Sequence, residues 1–513
     1  MNGDWIRLQN LEKLFSELLK DRPSLRKDEE DVLSLMEKLP KEEVLTMLTN
    51  SDSLVAFRCS CLLSDILTKG LYAILTEQRE GLIGSEEMFK LRLESLFSSF
   101  AFLDLFVTVE PVFLYRLCRF YARVLDNMGR LLQEYSVTDS SPVSVVVLRL
   151  ERLIWRQRDM LLFPHGETTT SVPYAFTAYL VLCRKWISFL TLLHSPYHST
   201  HSLLNVPDFV RYANTHPVFY VRQRSWELLL ELQKRHVEFS RVILEEACRE
   251  ENLPSLTTLF SEQDSGTLQM SSYFGYQADS VPSIPTKQMF LRYYILGLVS
   301  SLSDLSWNEA LLHSTHLYFV ERVDFILKQI TFFLASWYAP PKSHSLEYYL
   351  VMLFTEQDDL MCMLFTKVLK LCRQSLNSEE QQHKKIPKLS LNIHPMVFCW
   401  LYQIDFDEYV LLDLINSSET EFLTFFVKYL NAILYTEPED FLGNILEGDS
   451  GRFTSLLEKL SSVLERLQDK NLIPFCCEPL IRKMRQVLRH ILPIASTRDK
   501  KQRSEFSDKV SPS

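Results

Sequence analysis

Hydrophobic residues recur at three- and four-residue intervals along most of the chain, and this spacing is typical of amphipathic helices. The clearest case lies between Phe422 and Ile433, where apolar side chains recur at i, i+3, i+4, i+7, i+8 and i+11. A stripe this wide predicts a helix buried against other helices, because one helix alone cannot cover it. Short polar turns separate similar segments on both sides, so the pattern predicts a chain of stacked helices.

Further segments show the same period and are predicted as helices. They lie at 5–20, 54–68, 88–100, 111–135, 142–162, 175–193, 217–250, 288–302, 316–338, 356–376, 453–469 and 478–492. Pro111, Pro142 and Pro217 stand at first turns, where proline is tolerated. Helix pairs follow one another at variable spacing, without a clean consensus repeat. This arrangement is typical of an all-α, armadillo/HEAT-like right-handed superhelix of degenerate helix pairs.

Composition favours the same fold class. The chain has 513 residues, of which only 12 are glycine and 46% are hydrophobic. Sandwiches and α/β folds use glycine in their turns, so this composition favours helices. The formal net charge of −10 argues against a protein that coats nucleic acid, and we expect no direct nucleic-acid binding.

Capping signals divide the region 394–434 into two helices. Asp405 is predicted as the N-cap of the first helix, with Glu408 completing a capping box. Ser418 and Glu421 repeat the arrangement for the second helix. The region therefore predicts a helical hairpin joined by a polar turn.

The same region resembles the C-terminal region of the Lines family of animal developmental regulators. The residues of this family core, which we also predict to be structural, are Asp405, Val410, Leu411, Leu412, Asp413, Ser418, Glu419, Thr420, Phe422, Phe425, Phe426, Tyr429 and Leu430. Segments 50–63, 354–361 and 464–484 are similar to the same family in the same order, so the resemblance is expected to span the chain. The larger relatives carry a long Ser-rich insert before the last helices, where this chain has only residues 436–451.

Resemblance and composition together predict five regions. These are an N-terminal Lines-like helical repeat region at 1–260, a flexible loop at 261–286, a C-terminal Lines-like helical region at 287–435, a terminal helix pair at 436–494 and a disordered tail at 495–513. The loop prediction rests on Ser, Gln and Pro content, and the tail prediction rests on charge without an apolar period.

The resemblance implies a regulator of Wnt-linked developmental transcription that is found in the cytoplasm and the nucleus. It implies binding to transcription factors, such as zinc-finger proteins of the odd-skipped class. A superhelix of helix pairs offers a concave groove for such partners, because the side chains of that face need not pack inward. The first twenty residues lack an apolar secretory core and charges break the longest apolar stretches, so we expect a soluble chain without a membrane span.

Motifs for catalysis and metal binding are missing from the sequence, which has no Gly-rich phosphate loop, nucleophile elbow, HExxH or paired CxxC. His194, His198 and His201 form the densest set of potential metal ligands, but Pro196 and the Ser and Thr residues between them favour an exposed polar loop. The ten cysteines are expected to be reduced thiols within helices. We therefore predict a non-enzymatic protein without a cofactor, a metal or a small-molecule substrate.

A short acidic run at Glu356, Asp358 and Asp359 is interpreted as structural. Thr355 is predicted to cap the following helix, and acidic residues in its first turn complement the helix dipole. No second acidic cluster of defined spacing accompanies the run, so helix capping is favoured over catalysis or metal binding.

Three rows of arginine are candidate partner-binding residues. Each row has the spacing i, i+3, i+7, which places guanidinium groups along one helical face. The rows are Arg116, Arg119 and Arg123, then Arg149, Arg152 and Arg156, and finally Arg482, Arg485 and Arg489. Such rows can bind an acidic segment, a phosphorylated partner or a nucleic-acid backbone. The alternative is a solvated face that pairs with nearby carboxylates.

Two other functions stay open. A continuous basic channel would favour an α-solenoid subunit of a nucleic-acid-processing or DNA-repair complex, with steeply salt-dependent binding. A deep pocket that gathers histidines and carboxylates from distant helices would favour an enzyme.

Overall fold

The structure is a computed structural model of the chain. It describes residues 53–79, 111–134, 172–192, 206–215, 219–235, 237–249, 284–305, 313–338, 345–382, 389–417, 420–444 and 449–509, together with positions 9, 13, 42, 44, 48, 88, 91 and 96. Within these residues the regular elements are α-helices and no strand is present, which confirms the predicted all-α class.

The described helices follow one another along the chain. They are α1 (Ser53–Arg79), α2 (Pro111–Glu134), α3 (Val172–Leu192), α4 (Val206–Thr215), α5 (Phe219–Arg235), α6 (Phe239–Ala247), α7 (Ile284–Asp304), α8 (His313–Trp337), α9 (Leu346–Phe354), α10 (Asp358–Gln382), α11 (Ile393–Gln403), α12 (Glu408–Asn416), α13 (Phe422–Tyr435), α14 (Pro438–Gly443), α15 (Asp449–Asp469) and α16 (Glu478–Lys509). The helices predicted at 5–20, 88–100 and 142–162 lie outside the described residues, apart from single positions.

Two predicted elements differ from the structure. The single helix predicted at 217–250 is divided into α5 and α6, because the chain passes between these helices from one compact unit to the other. The tail predicted to be disordered at 495–513 has a helical backbone as far as Lys509. Its Lys, Arg, Gln and Glu residues have high helix propensity, and neither glycine nor a further proline interrupts it before Pro512.

The chain divides into two compact units. One comprises Met1–His236 with Ser261–Phe290, and the other comprises Val237–Phe260 with Leu291–Ser513. The third of the three changes of unit along the chain lies inside helix α7, between Phe290 and Leu291. The loop predicted at 261–286 lies outside the described residues as far as position 283.

In the first unit, α1 packs on α2, α2 on α3 and α3 on α5, while α4 packs on α5. Ion pairs join the exposed edges of these contacts. The Asp65 carboxylate lies 3.1 Å from Arg123, and the Asp126 carboxylate lies 2.6 Å from Nζ of Lys185. Each helix of the series α1, α2, α3 and α5 is thus bound to the next by both apolar packing and polar contacts.

A buried carboxylate strengthens the contact between α3 and α5. Oε2 of Glu227, whose side chain is only 3% exposed, lies 3.0 Å from Arg184 of α3 and 2.5 Å from Arg224 of its own helix. Nε2 of Gln223 donates a further hydrogen bond of 2.9 Å to Oε1. The carboxylate is stable inside the unit because three donors replace its hydration.

One stretch of α1, Arg58–Thr76, has the length and apolar composition of a membrane span, with a mean hydropathy of 1.3. Its apolar residues Leu63, Leu67 and Leu71 are buried against the rest of the unit. The hydroxyl of Thr68 accepts a 2.9 Å hydrogen bond from Asn127 of α2. These contacts are those of a core helix, and a core helix can be as long and as apolar as a membrane span.

The second unit has a largely aromatic core. Helix α9 packs on α8, α10 and α11, and α13 packs on α10, α12 and α16. Helix α16 also contacts α14 and α15. The fully buried side chains where these helices meet include Phe354, Phe365, Phe422, Phe425 and Tyr429. Helix α13 lies at the centre of this network, as the width of its apolar stripe predicts.

Candidate partner-binding surface

The apolar stripe of α13 is buried along its whole length. Its residues Phe422, Phe425, Phe426, Tyr429, Leu430 and Ile433 are each at most 5% exposed. The Phe425 ring lies 5.4 Å from Phe365 of α10 and 5.8 Å from Tyr429. These centroid distances are typical of favourable aromatic pairs. The stripe therefore belongs to the core.

A buried histidine extends this aromatic cluster. His394, at the start of α11, has its Nδ1 3.4 Å from the Tyr429 hydroxyl, and its ring stands edge-on to Phe441 at 5.0 Å. Burial raises the pKa of Tyr429 far above its ordinary value. The Tyr429 hydroxyl is therefore a neutral hydrogen-bonding group.

The remaining family-core positions range from buried to exposed. Leu411 is buried, Val410 and Leu412 are half-buried, and Asp413 is exposed on α12. Ser418 and Glu419 lie outside the described residues. The hydroxyl of Thr420 donates a 3.4 Å hydrogen bond to the carbonyl oxygen of Leu414, which joins the turn to α12.

The N-cap of α12 is Asp407, and the prediction that Asp405 has this role is wrong. The Asp407 carboxylate accepts a 2.8 Å hydrogen bond from the backbone N–H of Tyr409. Asp405 and Phe406 have positive φ angles of 51° and 54°, so the chain makes a left-handed turn before the helix can begin. The N–H of Phe406 closes this turn by donating to the carbonyl oxygen of Leu401 at 2.8 Å.

Asp405 instead holds an arginine from α15. Its carboxylate lies 2.6 Å from the Arg452 guanidinium, which also stands 4.3 Å from the Phe406 ring and 5.2 Å from the Tyr402 ring. The Tyr402 hydroxyl donates a hydrogen bond to the buried Asp449 carboxylate. Burial, followed by the hydrogen bond and charge of Asp449, raises the pKa of Tyr402 to about 12. Together, the contacts of Asp405 with Arg452 and of Tyr402 with Asp449 bind the turn between α11 and α12 to the start of α15.

The N-cap of α13 also lies at a different residue from the one predicted. The helix begins at Phe422, with Glu421 at the N-cap and no side-chain hydrogen bond there. Helix α13 thus starts three residues later than a cap at Ser418 would allow. The half-buried Thr420, two residues before the helix begins, is instead held to α12 by its hydrogen bond.

Thr355 ends one helix and does not begin the next. It is the C-cap of α9, and its hydroxyl donates a 2.7 Å hydrogen bond to the carbonyl oxygen of Val351. Glu356 pairs at 2.9 Å with Arg292, a buried residue of α7 that also donates to the Leu353 carbonyl oxygen. Asp358 and Asp359 do lie in the first turn of α10, as predicted. The acidic run thus has a structural role at a helix junction.

The first arginine row lies on α2, and one of its residues contacts α1. Arg119 and Arg123 are exposed. Arg123 donates to the Asp65 carboxylate at 3.1 Å and to Sγ of Cys61 at 2.7 Å, both on α1. The structure describes the backbone of Arg116 but not its side chain. The second row, Arg149, Arg152 and Arg156, lies outside the described residues.

The third arginine row lies along the outer face of α16. Arg482, Arg485 and Arg489 are all exposed. Arg485 pairs with Glu465 of α15, and Arg482 lies 3.7 Å from Glu478 one turn earlier. Among the described residues, no carboxylate forms an ion pair with Arg489. The row thus combines two exposed, weakly held ion pairs with one arginine that faces solvent.

One exposed apolar side chain follows this row on α16, and another stands at the end of α13 that α16 contacts. Nε2 of His490 is 3.0 Å from the carbonyl oxygen of Thr436, so the residue after Arg489 contacts the end of α13. Tyr435, the preceding residue of that helix, is 81% exposed, and Leu492 of α16 is also exposed. We call Arg482, Arg485, Arg489, Tyr435 and Leu492 the α16 face. The sequence identifies its arginines by spacing but gives no signal for Tyr435, whose exposure depends on how α13 ends against α16.

A second exposed surface was not anticipated from the sequence. Tyr318, Phe325 and Phe332 stand on the outer side of α8, and they are 49%, 48% and 76% exposed. Their regular seven-residue spacing is the signal that could have found them. The spacing alone does not reveal that these rings are exposed. The opposite side of α8 is apolar as well, and a helix that is apolar on all sides is predicted to be fully buried.

The described residues include no metal cluster, and several of their thiols are buried. Among them, no group of three His, Cys, Asp or Glu side chains could hold a metal ion, and His194, His198 and His201 lie outside them. None of the ten cysteines forms a disulfide. Burial raises the pKa of Cys59, Cys183 and Cys362 to about 12, so these thiols stay protonated and pack as small apolar groups.

The chain is similar to one protein family. Residues 254–442 match the family model described as Lines N-terminus, a range that includes α7 to α13 and nearly all of α14. No significant match was found among curated proteins or among solved structures.

The matched range changes one expectation drawn from the resemblance. The region 394–434 lies inside the N-terminal family model, so its assignment to the C-terminal region of the family was wrong. The segment 354–361 also lies inside the match, whereas 50–63 and 464–484 lie outside it. The match at residues 254–442 supports membership of the Lines family.

Proposed function

We propose that this protein is a non-enzymatic scaffold of the Lines type, which binds a partner protein on the α16 face. The observation that carries the proposal is the exposed arginine row of α16 beside the exposed Tyr435 and Leu492. Arginine and tyrosine are the residues most enriched at the energetic centres of protein interfaces. A row of guanidinium groups beside apolar side chains suits an acidic protein segment that also carries an apolar anchor.

The proposed mechanism is stoichiometric binding. The helices form an armadillo-like superhelix, and the partner is a transcription factor, with zinc-finger proteins of the odd-skipped class as the first candidates. Binding changes the availability of that factor and so regulates Wnt-linked developmental transcription. The protein acts in the cytoplasm and in the nucleus. The partner class is the one that the resemblance to the Lines family implies, and the α16 face supports the binding mode.

A protein partner fits this face better than nucleic acid does. Arg485 and Arg482 are already paired with Glu465 and Glu478, so the face presents alternating charge to a ligand. A polyphosphate backbone would be repelled by those carboxylates, whereas a peptide can place its own basic groups against them. The chain as a whole is also acidic, at −10.

Charge reversal of the row tests the proposal. We expect Arg482→Glu/Arg485→Glu/Arg489→Glu to weaken binding of a purified odd-skipped-class protein at least about tenfold, since several charge-assisted contacts become repulsive. A matched control reverses the exposed Arg241, Arg373 and Lys459, which lie outside the face. Circular dichroism of both variants checks that the helices are intact.

Three results would decide between the alternatives. Loss of binding in the row variant alone supports the proposal. Equal binding by the wild type and the row variant overturns it. Binding of the wild type to DNA or RNA, with an affinity that falls steeply with salt and is lost in the row variant, would favour a nucleic-acid-processing subunit instead.

A further inference from the structure

The outer side of α8 carries an exposed aromatic stripe made of Tyr318, Phe325 and Phe332. The inner side of the same helix is buried through Phe319, Val323, Ile326, Ile330 and Leu334. Three aromatic rings repeating every seven residues lie almost in line along a helix, over a length of roughly 21 Å at 1.5 Å per residue. Exposed aromatic side chains arranged in this way are characteristic of an interaction surface.

The stripe is symmetrical about Phe325. Tyr318 precedes it by seven residues and Phe332 follows it by seven. A second copy of the helix running in the opposite direction would therefore place Phe325 against Phe325, and each Tyr318 against a Phe332. Surfaces related by a two-fold axis must complement themselves in this way.

Two of the charged side chains beside the stripe have the same symmetry. Glu321 lies four residues before Phe325 and Lys328 lies three residues after it, and both side chains are exposed. In the antiparallel arrangement, Glu321 of one copy and Lys328 of the other differ by only about 1.5 Å in their positions along the helix axes. Two equivalent Glu–Lys pairs then flank the aromatic contacts. This charge complementarity favours a second copy of the chain over an unrelated partner helix.

The local contacts leave Lys328 able to make such a pair. Its Nζ lies 2.6 Å from Asp324 of its own helix. The Asp324 carboxylate also accepts hydrogen bonds from the backbone N–H of Ser390 at 2.7 Å and from its hydroxyl at 3.1 Å. The hydrogen bonds from Ser390 keep the Asp324 carboxylate in place. Lys328 can therefore pair with a second carboxylate without leaving Asp324 uncompensated.

We propose that two copies of this protein associate through the aromatic stripe of α8 in an antiparallel, two-fold arrangement. One helix face from each copy forms a small interface, at the lower end of the range for specific complexes. The association is therefore reversible and depends on protein concentration. It uses a different helix from the α16 face and does not rest on the function proposed for that face.

Sedimentation velocity of the full chain over a range of concentrations tests this arrangement. The wild type is expected to shift from monomer to dimer as its concentration rises. Phe325→Glu is expected to stay monomeric, because two carboxylates would meet at the two-fold axis. Phe332→Glu, at the most exposed ring, gives a second test if the first variant folds poorly. Tyr409→Glu, at an exposed aromatic on α12, is the control and should dimerise like the wild type.

Charge exchange gives the sharper result. Glu321→Lys should weaken dimerisation at least tenfold, because each new lysine would meet Lys328 of the other copy. Glu321→Lys/Lys328→Glu should recover most of that loss, since both pairs are reversed together. A structural role of either residue would give no such recovery. A wild type that stays monomeric up to its solubility limit, a dimer unaffected by Phe325→Glu, or a double variant no better than the single one would each overturn the proposal.

Discussion

Asp405 and Asp407 stand two residues apart in the turn before α12, and the backbone gives them different roles. Asp407 has extended backbone angles, and its carboxylate reaches the N–H of Tyr409. Asp405 has a positive φ, and its carboxylate points to Arg452. Asp is one of the few residues that tolerate a left-handed conformation, so the same residue type serves both positions.

Substitution of the two aspartates should separate these roles. Asp407→Ala is expected to lower the free energy of unfolding by about 0.5–2 kcal/mol, because the first turn of α12 loses its cap. Asp405→Asn should change it by less than about 0.5 kcal/mol, since an exposed ion pair contributes little and Asn tolerates a positive φ. Denaturant unfolding measures both values. A larger loss from Asp405→Asn would mean that the capping role had been assigned to the wrong aspartate.

Asp304 is a partly buried carboxylate of the second unit whose charge state should affect stability. It is the last residue of α7, where the helix dipole disfavours a negative charge. Burial acts to raise its pKa, but the hydrogen bond from Lys370 and the charge and hydrogen bond of Lys367 hold the pKa below its ordinary value of 3.8. The two Nζ atoms lie 2.8 and 2.9 Å from the carboxylate.

A lowered pKa predicts a defined pH dependence. Asp304 contributes stability when it is ionised, so the contribution is present above pH 3.8 and is lost as the pH falls through the lower folded-state value. Asp304→Asn should therefore destabilise the protein most at neutral pH, and the difference from wild type should shrink in acid. Denaturant unfolding at a series of pH values measures this difference. A difference that stays constant with pH would show that Asp304 acts through packing alone. Asp413→Asn, at an exposed carboxylate, is the control.

At the scale of elements, α13 illustrates how strongly one amphipathic pattern constrains a fold. Its stripe contacts α10 through the Phe365 ring and α11 through Trp400 and His394. Helices α12 and α16 pack on it as well. A helix surrounded in this way cannot repack easily when a large side chain is removed.

Truncation in the stripe should accordingly be costly. Phe425→Ala is expected to lower the free energy of unfolding by about 3–5 kcal/mol, because it removes a buried ring and leaves a cavity between α10 and α13. Thr424→Ala, at the adjacent exposed position, should change it by less than about 0.5 kcal/mol. Thermal or denaturant unfolding of both variants gives the comparison. Wild-type stability in Phe425→Ala would mean that the stripe faces a partner and not the core.

At the scale of the whole molecule, the two proposed surfaces lie on different helices of one compact unit. The α16 face combines a partly paired arginine row with two exposed apolar side chains, and the α8 stripe is aromatic with charges at its sides. The first is suited to an acidic partner segment, and the second is complementary to itself. Phe325→Glu should therefore leave partner binding unchanged, and reversal of the α16 row should leave the monomer–dimer equilibrium unchanged. The two proposals can fail independently.

The sequence by itself determined the helical class, the helices with strong apolar periods and the burial of the α13 stripe. These follow from local spacing, because an apolar face that repeats every 3.6 residues is satisfied only by helix packing. It also located Arg482, Arg485 and Arg489 on one helical face, since a row of charges on a helix depends on spacing alone.

Only the tertiary structure decided which residues act as caps, where long helices divide and which apolar side chains remain uncovered. Asp407 replaces Asp405 as a cap because Phe406 must turn back to Leu401, a contact that spacing does not reveal. The exposure of Tyr435, and of the rings at 318, 325 and 332, depends on the absence of a neighbouring helix over each within the described residues. An apolar residue has the same local pattern whether its outer side meets the core or water, so packing between distant segments makes that choice.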